Sequence, residues 1–146
     1  ISLIPESLEI ISNGILGEII SKKANILAGP TLGADPIIGG VLMKAQENSI
    51  QLQGAIVRKT AKEHGTGKQI EGLIQVNDKV LIVDDTCTTG KSVLLAAKAV
   101  ENYGCSVVGI ICVVDRDEGG RQKIEKSGYN FTSLLKVYNR KLIPWV

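Results

Sequence analysis

Aromatic side chains are nearly missing from these 146 residues: one tryptophan, one phenylalanine and three tyrosines make up 3% of the chain. The core must then be aliphatic, which fits the 44% share of hydrophobic residues and a globular fold. No excess of either charge stands out. Seventeen Lys and Arg against fifteen Asp and Glu leave +2, which argues for neither nucleic acid nor a membrane surface as a partner. Cysteine is scarce as well. Cys87, Cys105 and Cys112 are odd in number and form no CxxC, so free thiols in a reducing cytoplasm are expected, rather than a disulfide framework or a zinc site. No apolar run approaches the roughly 18 residues that span a bilayer, and no signal-peptide pattern is visible. At this length one domain, 1–146, with a sizeable core is expected. The chain opens on Ile rather than Met, which leaves room for residues upstream.

What is present is a regular alternation. Residues 5–23 carry Leu8, Ile11, Ile15 and Ile19 at helical spacing, with Pro5 suited to a first turn. Residues 24–28 read as a short apolar strand and GPTLGAD (29–35) as a glycine-punctuated loop. A helix follows over 36–48, with Asp35 as its N-cap. A strand over 51–59 turns basic at its end, and 60–72 is polar, glycine-rich and aperiodic, a long loop. Then come a buried strand (79–85), a helix closed by Gly104 (90–104), a second buried strand (106–116), a short helix near 119–128 and a strand around 131–137. Strands that are apolar along their length and alternate with helices indicate a single doubly wound α/β domain, a parallel sheet flanked by helices. Ligands of such folds bind beyond the carboxyl ends of the strands. Three chemically loaded segments fall there: GPTLGAD, DDTCTTGKS (84–92) and DRDEGGR (115–121).

In VLIVDDTCTTGKS (80–92) a Walker A reading fails. That motif needs a glycine five residues before Gly90, and Asp85 stands there. TGKQ (66–69) fails too, with Gln69 in place of Ser or Thr and Lys62 at the leading glycine. A phosphate site of another make remains. Thr88, Thr89, Gly90, Lys91 and Ser92 sit at a helix N-terminus, where unpaired N–H groups and the helix dipole favour an anion. Asp84 and Asp85 would repel that phosphate but can accept hydrogen bonds from a neutral diol nearby. Diol on carboxylates and phosphate on the following loop describe a ribose 5-phosphate. The plainer alternative is a helix capped by Thr88 or Thr89 beside two structural aspartates.

The stretch resembles the phosphoribosyl-diphosphate (PRPP) motif of type I phosphoribosyltransferases: a hydrophobic strand, two acidic residues and a T-T-G-x-S-like loop. The resemblance implies that family's fold, with Asp84 and Asp85 on the ribose hydroxyls. Thr86, Cys87, Thr88, Thr89, Gly90, Lys91 and Ser92 would wrap the 5′-phosphate. Two further segments narrow it. Arg58, Lys59, Lys62 and His64 lie within seven residues and resemble the R-K-x-x-K-x-H-G loop of orotate phosphoribosyltransferases. DRDEGG (115–120) is similar to the D-R-x-E-G-G sequence of the same enzymes. The likeness implies transfer of phosphoribose from PRPP to orotate, giving orotidine 5′-monophosphate and pyrophosphate in pyrimidine synthesis. Lys62 would be the main catalytic lysine, with Arg58, Lys59 and His64 on the diphosphate, and Arg116 would pair with the orotate carboxylate, Thr88 beside it. Backbone amides of Leu32, Gly33 and Ala34 would face the leaving group.

The same likeness implies Mg²⁺ carried mainly by PRPP, with no direct protein ligand, a cytoplasmic enzyme and a homodimer in which the 57–72 loop completes the neighbouring site. Relatives often carry a lysine in the diphosphate loop; this chain has none between Lys23 and Lys44. The S-G-x-x-S-x-Y-F-like hood of the family has no counterpart here, and is expected to be reduced or to lie upstream of Ile1. Transfer to another base, and a non-catalytic PRPP-sensing regulator, are the competing readings.

Overall fold

The computed structural model describes residues 1–61 and 68–144. Helix α1 (Pro5–Lys22) begins on its proline and ends at Lys23, whose φ of 54° is left-handed. It buries the stripe Ile11, Ile15, Leu16 and Ile19. Strand β1 (Ile26–Pro30) leads to α2 (Asp35–Glu47), β2 (Gln53–Val57) and the three-residue β3 (Ile70–Gly72). Then follow β4 (Lys79–Cys87), α3 (Lys91–Tyr103), β5 (Ser106–Asp115), α4 (Gly120–Lys126), β6 (Phe131–Tyr138) and β7 (Lys141–Pro144).

All seven strands form one sheet in the order β3-β2-β1-β4-β5-β6-β7. The five inner strands are parallel, as the apolar runs predict. Both edges are antiparallel and correct the expectation of a purely parallel sheet. β3 folds back on β2 within the 60–72 segment expected as a loop, and β7, past the last expected strand, folds back on β6. The sheet divides the core in two, because successive side chains on a strand point to opposite faces. Val80 and Ile82 of β4 pack with Val93, Ala96 and Val100 of α3 and with Ile124 of α4. Leu81 and Val83 pack with Ile15 and Ile19 of α1 and with Ile37 and Val41 of α2. Among the described residues, no helix is long and apolar enough to cross a membrane.

The chain reverses its direction of travel across the sheet at β1, which has β2 on one side and β4 on the other. In open α/β sheets that switch point opens a crevice at the carboxyl ends. Here the strands also part. β1 pairs with β4 only from Ile26–Val80 to Ala28–Ile82, while β4 runs on to Cys87 with β5 as its partner.

Candidate functional site

Two carboxylates stand on the unaccompanied end of β4. Asp84 is 7% exposed and Asp85 is half-buried; the Asp85 N–H donates to Asp84 Oδ1 at 2.9 Å. Burial, above all, pushes the Asp84 carboxyl up from its ordinary 3.8 to about 7; the bond from the Asp85 N–H opposes this and the charge of Asp85 adds to it. Among the described residues no cation pairs with Asp84, and a buried acid so placed is costly to ionise.

Opposite this pair lies the turn after β1. A Cβ on Gly33 would come within 2.7 Å of Asp85 Oδ1 and 2.9 Å of Asp84 Oδ1. Only a residue without a side chain lets this turn descend onto both acids. Gly33, expected from the sequence to turn its amide toward the leaving group, thus lies against the acidic pair. Leu32 stands out at 79% exposure at the tip, and the Thr31–Leu32 peptide is cis. Ala34 does not belong with them: it is fully buried, and its N–H donates to Pro30 O at 3.3 Å. Its amide closes the turn rather than facing a ligand. Nor is Asp35 the N-cap. Ala34 holds that place, and Asp35, in the first turn of α2, accepts a hydrogen bond from Thr31 Oγ1 at 2.8 Å.

Past β4 the chain makes the 88–90 bend and enters α3. Its N-cap is Gly90, at φ 76°, and no side chain caps the helix. Thr88 and Thr89 are therefore not caps, and the first amides of α3 remain available to an anion. Cys87 departs from the expected phosphate-binding set. Its side chain is 2% exposed within the α3-side core, where a hydrogen bond with the Cys112 thiol draws its pKa down against burial. Only its backbone meets the site: Cys87 O accepts from the Arg116 N–H at 3.0 Å.

The basic residues arrive from two directions. Lys59, Lys91 and Ser92 line a cavity of about 280 Å³ with Pro30, Val57 and Leu95, between the ends of β1 and β2 and the start of α3. Arg58, at the end of β2, has its Nε 3.4 Å from Glu71 Oε1 of β3. Arg116 is exposed and pairs with Glu118 at 3.2 Å, the ion pair that competes with a ligand role; an exposed pair is worth ~1 kcal/mol or less and exchanges readily. Lys62 and His64 lie outside the described residues. A second cavity, of about 230 Å³, lies beside the acids, lined by Asp85, Thr86, Val113 and Val114 with Ile1 and Ser2. Thr88 and Arg116 do not line it.

Sequence reasoning missed one pair. Asp115, fully buried at the end of β5, is bonded to Arg121 Nε at 3.2 Å. The signal was an arginine six residues past an aspartate, across the Gly119–Gly120 step into α4.

Comparison with known proteins agrees with this geometry. The phosphoribosyl transferase domain family matches residues 5–138. The orotate phosphoribosyltransferase of Pyrococcus horikoshii is 46% identical over 130 residues, covering 84% of this chain and 67% of its own. That of Leptospira biflexa is 39% identical over 138 residues, covering 92% and 75%. The crystal structure of Mycobacterium tuberculosis orotate phosphoribosyltransferase in complex with PRPP superposes with a TM-score of 0.82 at 30% identity, over 96% of this chain and 79% of that one. An acidic pair beside an uncapped helix start, at the switch point of this sheet and in this sequence background, has one reading: the chain belongs to the phosphoribosyl transferase family, among the orotate phosphoribosyltransferases.

Proposed function

We propose that the chain transfers the 5-phosphoribosyl group of PRPP to N1 of orotate, releasing pyrophosphate and orotidine 5′-monophosphate. The observation that carries this is the close approach of Gly33 to both Asp84 and Asp85. It brings the turn suited to a diphosphate within reach of the acids suited to a ribose diol, with the α3 amides one loop away for the 5′-phosphate.

The chemistry follows from charge. As the C1–diphosphate bond lengthens, negative charge gathers on the leaving group and positive charge on the ribose. Asp84 and Asp85 orient the ribose through its hydroxyls and stabilise the developing cation; a hydroxyl donates to a carboxylate, so the sugar favours ionised Asp84 over the neutral acid. The amides of Leu32 and Gly33, with Lys59, Arg58, Lys62 and His64, receive the leaving group. Arg116, released from Glu118, pairs with the orotate carboxylate in a bidentate fashion. Among the described residues no three His, Cys, Asp or Glu side chains gather to hold a metal ion; the oxygen donors at hand are Asp84 and Asp85, a type Mg²⁺ accepts. Mg²⁺, when bound, would supply charge neutralisation of the leaving group. The working unit is a cytoplasmic homodimer in which the 57–72 loop serves the neighbouring site.

Incubation with PRPP, Mg²⁺ and a panel of bases tests this, with pyrophosphate release as the readout. Release with orotate alone is expected. Release with a purine instead overturns the base assignment, and PRPP binding without release under any base points to a regulator.

A further inference from the structure

We propose that Asp115 and Arg121 are positioning residues that bind the phosphate loop and the base-contacting turn into one unit; this rests on the function proposed above. Asp115 is fully buried behind the turn, and the Arg121 side chain that meets it is 16% exposed. Asp115 Oδ1 accepts from the Asp117 N–H at 2.9 Å, and Oδ2 from Arg121 Nε at 3.2 Å. One carboxylate thus holds the beginning and the end of the turn that carries Arg116. Arg121 is itself held twice more: its guanidinium lies 4.7 Å from the centre of the Phe131 ring, and Nη1 reaches Glu125 Oε1 at 3.1 Å. A buried charge removed from such a pair leaves its partner uncompensated, so the geometry is fixed rather than exchangeable.

What this turn touches is the other half of the site. The Arg116 N–H donates to Cys87 O at 3.0 Å. A Cβ on Gly120 would come within 2.6 Å of Thr88 O and 3.0 Å of Gly90 N, and one on Gly90 within 3.1 Å of Gly120 O. Turn and loop therefore meet in close contact, with the Cys87 thiol and the Ile124 side chain packed into the same junction. Displacement of the turn moves the Arg116 guanidinium and the amides at the start of α3 together. Reacting groups tolerate little of this: misplacement by ~1 Å can cost up to about a hundredfold in rate.

The test compares the wild type with Arg121→Lys, which keeps the charge and loses the fork, and Gly120→Ala, which keeps the pair and pushes on the loop. Each is first checked for a cooperative melt. Arg116→Gln serves as the contrast, since it removes a base contact and leaves the turn in place. Calorimetric titration with ribose 5-phosphate reports the phosphate loop, and KM for orotate reports the base side. Arg121→Lys and Gly120→Ala are expected to weaken both by about tenfold, whereas Arg116→Gln weakens orotate alone. A folded Arg121→Lys that binds ribose 5-phosphate as the wild type does, or loses only orotate, overturns the proposal. If Gly120→Ala does not fold, Arg121→Lys decides. A wild type that neither binds ribose 5-phosphate nor releases pyrophosphate refutes the function itself before any variant is compared.

Discussion

Replacing Asp84 by asparagine should make the protein more stable, and more so as the pH rises. The carboxyl is buried with no cation paired to it among the described residues, and its pKa in the fold is about 7 against an ordinary 3.8. The folded chain therefore holds this proton more tightly than the unfolded chain. Stability contributed by the group is complete below 3.8 and is lost as pH rises through about 7. Between about pH 5 and about pH 8 the loss integrates to roughly 2.5 kcal/mol. Asparagine has nearly the same shape and keeps an oxygen for the Asp85 N–H, but has no proton to lose. The stability gap between variant and wild type should thus widen by roughly 2.5 kcal/mol across that range, or roughly 5–10 °C in Tm for a chain of this size. Urea unfolding at fixed protein concentration and several pH values measures it. Curves that stay parallel from about pH 5 to about pH 8 refute the reasoning, because the cost of ionising Asp84 in the fold would then be absent. The same variant should lose most of its transfer activity, placing stability and function in opposition at one residue.

Gly33→Ala sets a methyl against both acids and should weaken PRPP binding by about tenfold or more with little change in melting temperature; calorimetry on the folded variant checks it, and an unchanged affinity removes the turn from the site. Lys62→Ala should lower turnover by about 10²–10³ while leaving the fold intact, read from pyrophosphate release; near wild-type turnover excludes this lysine from the chemistry. Mixing Lys62→Ala chains with Asp85→Asn chains should restore part of the lost activity, since one hybrid site of a shared dimer holds both groups. No recovery after confirmed subunit exchange argues for sites built within one chain.

The inner sheet was legible because its strands are buried on both faces and so are spelled as unbroken apolar runs. KVLIV announces itself before any contact is known. The edges were not legible for the same reason. β3 is three residues long, with one buried side chain, and β7 is exposed throughout, so neither leaves a hydrophobic pattern to read. In the site, types and spacing showed the acids and the glycine loop, whose chemistry is local. Side-chain partnership was less accessible. Asp35 has the type of a cap but is engaged by Thr31, Cys87 sits in the spelling of the phosphate loop though its thiol faces the core, and Asp115 pairs with a cation on the next helix. Each of these depends on where the chain turns, which spelling alone does not fix.

The early parting of β1 from β4 has a consequence for how the products separate. Beyond Ala28 and Ile82 the acids are secured to β5, and the diphosphate turn to β1 and β2. Under the proposed chemistry, the bond that breaks spans a seam between two half-sheets, with sugar and base on one bank and leaving group on the other. Leaving group and nucleotide are then held by different strands, so that the grip on one is separate from the grip on the other.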